Sequence, residues 1–130
     1  MIVAFDVGLK RIGIAISPNA KFALPSEPIL RKNRNQAAFE ASEFLRQNGA
    51  QILVVGLPKG GESEEEMERR IKHFVSLLEF EGEIFYQDES FSSFEAKEFA
   101  RKSTKKGGVN AKFDSIAAMI ILERFLSKQS

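Results

Sequence analysis

Short apolar runs broken by turn residues fill the first third of the chain. Ile2 to Val7 is apolar and partly β-branched, and Gly8 ends it. Ile12 to Ser17 is a second such run, across the turn Gly8-Leu9-Lys10-Arg11, so the pair predicts a β-hairpin. Phe22 to Leu30 predicts a third strand, and Pro25 and Pro28 confine it to a sheet edge. Ala37, Ala38, Ala41, Phe44 and Leu45 then fall on one face of a helix, which Asn48-Gly49 ends. The run after Gln51, up to Gly56, is apolar throughout, as in a strand covered on both faces. Ser63 and Glu66 are spaced as a capping box for a helix whose apolar stripe is Met67, Ile71, Phe74, Val75 and Leu78.

Glu83 to Gln87 predicts a fifth strand. Ser92 and Glu95 are spaced as a second capping box, opening a short helix to about Lys102. A last helix is expected from about Ala111 to Leu126, buried against the sheet because Ile116 to Leu122 is apolar all round. The order β-β-β-α-β-α-β-α-α predicts an α/β fold, a mixed five-stranded sheet with helices on both faces, in one domain over residues 1–130.

Composition narrows the chemistry. Nineteen basic and eighteen acidic residues leave a net charge of +1, so only local patches can argue for nucleic acid. The absence of cysteine excludes a thiol nucleophile and a cysteine-based metal site, and the single histidine, His73, excludes a His pair. His73 follows a charged stretch and is expected to have no catalytic role. No apolar run nears the ~18 residues of a membrane span, and the N-terminus reads as a strand rather than a signal peptide. A cytoplasmic protein with no membrane partner is expected.

Three acidic positions stand out. Asp6 ends an apolar strand and shares a face with Ile2 and Ala4, where a carboxylate needs a partner or a cation. It can equally hydrogen-bond the Gly8 turn. Asp88-Glu89 follows the fifth strand, at the strand end where ligand sites of open α/β sheets collect, or else forms a solvated turn before a helix. Asp114 heads the stripe Ala118, Ile121 and Phe125, either as a site residue or as a helix-start acid. If the sheet gathers these acids, their repulsion calls for cations. Mg²⁺ or Mn²⁺ suits an all-oxygen site, and two such ions about 4 Å apart clamp the oxygens of a phosphodiester.

The basic residues offer candidate phosphate contacts. Lys10 and Arg11 lie in the turn beside Asp6. Between Lys97 and Lys112 are Arg101, Lys102, Lys105 and Lys106, with one acid, Glu98, and the pair Gly107-Gly108. That segment fits a grip on a nucleic-acid backbone.

The blocks that carry Asp6 and Asp114 resemble a known family. Ala4-Phe5-Asp6-Val7-Gly8-Leu9-Lys10-Arg11-Ile12-Gly13-Ile14-Ala15 is similar to the opening signature of the YqgF (RuvX) family. Val54-Val55-Gly56-Leu57-Pro58, Asp88-Glu89-Ser90 and Lys112-Phe113-Asp114-Ser115-Ile116-Ala117-Ala118 follow in the family's order. The resemblance implies an RNase H-like fold. It also implies a nuclease associated with maturation of pre-16S rRNA or with Holliday-junction resolution. Asp6, Glu89 and Asp114 would be catalytic, with Asp88 the other candidate ligand of the metal. Ser90 stands where the family usually has Arg, which removes one phosphate contact.

The expected partner is thus pre-rRNA or branched DNA, with a two-fold homodimer if the substrate is a junction. A non-catalytic ribosome-assembly role is the alternative. A sugar-kinase-like ATPase is disfavoured, because such enzymes need a second comparable domain. Asp6, Glu89 and Asp114 should converge at one end of the sheet.

Overall fold

The computed structural model describes residues 1–59, 63–88 and 110–129, with side chains from 115 to 128 in the last stretch. Five strands form one sheet: β1 (Ile2–Val7), β2 (Arg11–Ser17), β3 (Leu24–Leu30), β4 (Ile52–Leu57) and β5 (Glu83–Asp88). Three described helices accompany it: α1 (Arg34–Gln47), α2 (Glu64–Ser76) and α3 (Asn110–Gln129). The spatial order is β3-β2-β1-β4-β5. β1 and β2 form the expected antiparallel hairpin, β3 adds antiparallel at the edge, and β4 and β5 run parallel to β1. The carboxyl ends of β1, β4 and β5 therefore share one end of the sheet.

Alternation along β1 and β4 builds two cores. Val3, Phe5, Leu53 and Val55 face Ala41 and Leu45 of α1 and Ile71 and Phe74 of α2. Ile2, Ala4, Ala15 and Val54 face Ala118, Ile121, Leu122 and Phe125 of α3. Ala4, Ala15 and Ala118 are all fully buried, and their small side chains let α3 lie close to the sheet. The mixed sheet with helices on both faces is as the chain order predicts.

Two local expectations change. Ser63 precedes α2 but makes no side-chain cap, because its ψ of 19° departs from the extended backbone that aims a capping hydroxyl at the helix. The observed capping box belongs to α1. Asn33 Oδ1 accepts from the Gln36 amide at 2.7 Å, and Gln36 Oε1 accepts from the Asn33 amide at 3.2 Å. At the other end of α1, Gly49 takes φ +60°, the left-handed cap that Asn48-Gly49 predicts. The expected Ser92–Glu95 box and the helix to Lys102 lie outside the described residues.

Candidate nuclease site

Asp6 is the next-to-last residue of β1 and is half-buried. Alternation puts it with Ile2 and Ala4 on the face that α3 covers. The register decides what surrounds it. Asp6 pairs with Gly13 of β2. On the other side Phe5 pairs with Val55, which brings Gly56 level with Asp6, and Gly56 pairs with Gln87. One row across the sheet therefore reads Gly13, Asp6, Gly56, Gln87, all on the α3 face. Both immediate neighbours of the Asp6 carboxylate lack a side chain. Gln87, two strands away, lies about 10 Å from β1 at ordinary strand spacing. Gly13, Gly56 and Gln87 are all buried.

Asp88 is the last residue of β5 and not a turn residue, and it pairs with Leu57. Phe85 packs on Phe125 of α3, with ring centroids 5.3 Å apart, so alternation puts Gln87 on the Asp6 face. Tyr86 lies under the Lys72 ammonium of α2, and Asp88 shares that opposite face. Gln87 is buried, and its Nε2 donates to the Asp88 carbonyl at 3.3 Å. Arg124 of α3 donates to the same carbonyl at 3.4 Å. These bonds fix the end of β5. Glu89 lies outside the described residues.

Asp114 sits in the second turn of α3, whose helix begins at Asn110. It is therefore not the cap of that helix, and its side chain lies outside the described residues. The start of α3 is pinned by its neighbour. Ser115 Oγ accepts from the Ile14 amide at 3.2 Å, inside the core. Ile14 pairs with Phe5, and the adjacent Gly13 pairs with Asp6. This anchor holds the backbone next to Asp114 over the Asp6 end of the sheet. Among the described residues no group of three or more acidic or histidine side chains is gathered as a metal set.

Lys10 and Arg11 are exposed on the hairpin turn. The Gly8 amide donates to the Arg11 carbonyl at 2.9 Å, closing that turn. Its other side is clamped by Arg31, whose Nη1 donates to the Gly8 carbonyl at 2.6 Å and whose guanidinium lies over Phe74, 5.3 Å from the ring centroid. Arg101, Lys102, Lys105 and Lys106, and the side chain of Lys112, lie outside the described residues. Sequence reasoning does not single out Gly56, Gln87, Ser115 or Arg31. Of these, Gly56 and Ser115 stand within the family-like blocks; all four gain meaning only from register and packing.

A family model described as RuvX, Holliday junction resolvase, matches residues 1–128. A Sulfurovum protein named "Putative pre-16S rRNA nuclease" is 59% identical over 128 residues, spanning 97% of this chain and 98% of that protein. A Campylobacter jejuni subsp. doylei protein of the same name is 52% identical over 123 residues, spanning 95% and 94%. Among solved structures, T. thermophilus RuvC in complex with a Holliday junction substrate superposes with a TM-score of 0.63, covering 99% of this chain and 96% of that one. At 12% identity that likeness shows the fold alone, a RuvC-like RNase H fold as the resemblance implies.

Proposed function

This chain belongs to the RuvX family, and from that premise we propose that it is a metal-dependent endonuclease that processes the 5′ end of pre-16S rRNA. The observation that carries the reading is the Asp6 row: a half-buried carboxylate at a sheet end, flanked by two glycines. A cation bound there would supply positive charge to a half-buried carboxylate, which favours the ionised form. The relatives' name supplies the substrate.

The donor set fits a hard cation. Asp6, Glu89 and Asp114 offer only oxygen, which suits Mg²⁺ or Mn²⁺. Glu89 is preferred over Asp88, because alternation puts Asp88 on the face away from Asp6. When bound, two such cations lower the pKa of a coordinated water and neutralise charge on the reacting phosphate. The chain's own residues do the rest. Asp6 fixes the position of the charge, Gly13 and Gly56 add no side chain beside it, and Lys10 and Arg11 hold the substrate phosphate at the turn. Hydrolysis by water leaves a phosphate and a hydroxyl end with no covalent enzyme intermediate.

The test offers a precursor RNA spanning the 5′ end of 16S rRNA, and separately a four-way DNA junction, with Mg²⁺, Mn²⁺ or EDTA. The precursor should be cut only with metal, and Asp6→Asn should abolish the cut while leaving RNA affinity similar or slightly higher. Cutting by Asp6→Asn at the wild-type rate in a nuclease-free preparation would overturn the mechanism. Cutting of the junction in place of the RNA favours the resolvase reading, to which the family's description points. No cutting of either favours a ribosome-assembly role.

A further inference from the structure

A second basic surface lies on the other face of the same sheet end. A cleft of about 410 Å³ opens against Gly8 and is lined by Arg31, Arg34, Arg69, Arg70 and His73. No acidic side chain among the described residues lines it. Among the described residues, no carboxylate lies within ion-pair distance of Arg31, Arg34 or Arg69, while Arg70 pairs with Glu66 at 2.7 Å. Glu66 stays outside the lining. Among the described residues the cleft therefore holds three guanidinium groups, those of Arg31, Arg34 and Arg69, with no carboxylate at ion-pair distance.

Its construction runs against local preference. Arg34 is the first residue of α1, where the helix dipole disfavours a cation, and no acidic residue stands in that first turn. Arg34 Nη1 lies 3.1 Å from His73 Nε2, and because a guanidinium only donates, the imidazole nitrogen accepts. That bond ties the start of α1 to α2 across the cleft. Burial, and secondarily the charge of Arg34, hold the Arg31 guanidinium below its usual pKa. An anion in the cleft relieves both costs. Planar guanidinium groups suit the oxygens of a phosphate, which they grip in pairs.

The location names the anion. Gly8 follows Asp6 by two residues, about 7 Å in extended chain. Arg31 touches the Gly8 carbonyl directly. A strand whose phosphate lies at Asp6 can thus pass over the Gly8 turn and place another phosphate in the cleft.

We infer that the cleft between the Gly8 turn, the start of α1 and α2 holds a backbone phosphate of the nucleic-acid substrate, away from the scissile bond. The inference rests on the nuclease reading but has its own readout, affinity rather than cleavage.

The test measures binding of the precursor RNA in EDTA over a range of salt concentrations. Arg34→Gln/Arg69→Gln should bind roughly tenfold more weakly, and the slope of log K against log salt should flatten by about 0.7–0.9 for each phosphate no longer held. Arg31 is left in place because it also clamps the turn. The charge-keeping pair Arg34→Lys/Arg69→Lys should retain most of the slope. Wild-type affinity and slope in the Gln variant would overturn the cleft and leave the nuclease reading standing. Equal weakening by the Lys and Gln pairs, with a lowered melting temperature in both, would assign the loss to folding and also overturn it. RNA that binds with the predicted variant effects but is never cut would keep the cleft and refute the nuclease. A wild-type chain that binds no nucleic acid overturns both.

Discussion

Replacing Ser115 by Ala removes one oxygen atom from the hinge between sheet and site. In the folded chain that oxygen accepts the Ile14 amide at 3.2 Å, and both residues are fully buried. The amide sits where the β2–β3 register slips: Ile12 pairs with Ile29 but Ile14 with Ser26, so two steps along β2 match three along β3. Pro28, inside that slip, has no amide to give. With Ala at 115, the Ile14 N–H loses this acceptor in a place water does not reach. A buried donor left unsatisfied costs about 1–3 kcal/mol. For a chain of this size each kcal/mol is roughly 3–5 °C, so melting should fall by about 3–15 °C. Thermal denaturation followed by circular dichroism reads the shift, and amide hydrogen exchange reads its cause. The Ile14 amide should exchange faster in Ser115→Ala, and by more than its sheet neighbours. Cleavage should fall as well, because the bond anchors the turn of α3 that carries Asp114. A melting point within about 1 °C of wild type, or unchanged exchange at Ile14, would refute the claim that this bond ties α3 to the sheet.

Gly8→Ala should be destabilising by about 1–3 kcal/mol, as overpacked sites are, because a Cβ there would meet the Arg11 carbonyl oxygen at 2.8 Å, backbone that cannot swing aside. Chemical denaturation checks it, and a wild-type midpoint would mean that the hairpin turn opens readily. Gly56→Ala places a methyl in the row beside Asp6. Cleavage should drop on the order of a hundredfold, the usual effect of displacing a reacting group by an ångström, with RNA affinity within a few-fold. Retained cleavage in that variant would show that the Asp6 row is not where the phosphodiester sits.

Much of the architecture is legible in the sequence because its signals are local. Strand alternation and helix periodicity depend on residues a few positions apart, and Pro25 and Pro28 can only belong to an edge. Asp6 is legible for the same reason: a carboxylate on an apolar strand face conflicts with its neighbours whatever the partner strands are. Asp114 is only partly so. Its place on the Ala118–Ile121–Phe125 stripe is readable, but the helix starts at Asn110 and the acid is in the second turn, a boundary that residues 105–110 do not mark. Capping is misleading where composition resembles a cap but the backbone is wrong. Ser63-x-x-Glu66 has the pattern without the bond, whereas Asn33-x-x-Gln36, an equally ordinary capping pattern, makes both bonds of the box.

What the sequence does not convey is lateral. Nothing in the string relates Gly13 to Gly56, forty-three positions apart, until two strand registers place one on each side of Asp6. The same holds for the arginine cleft. Arg31 follows a strand and Arg34 opens a helix, and Arg69, Arg70 and His73 sit beside acids at helical spacing, so each group reads as an ordinary solvated face. Packing separates the charges that spacing suggests are balanced. Glu66 pairs with Arg70 and Glu68 with Lys72, both along the axis of α2, and neither acid lines the cleft against α1. A helix with four glutamates and three lysine or arginine residues thus presents arginines toward the Gly8 turn. For a chain whose net charge is only +1, the capacity to hold a phosphate strand depends on that sorting, and counting residues does not detect it.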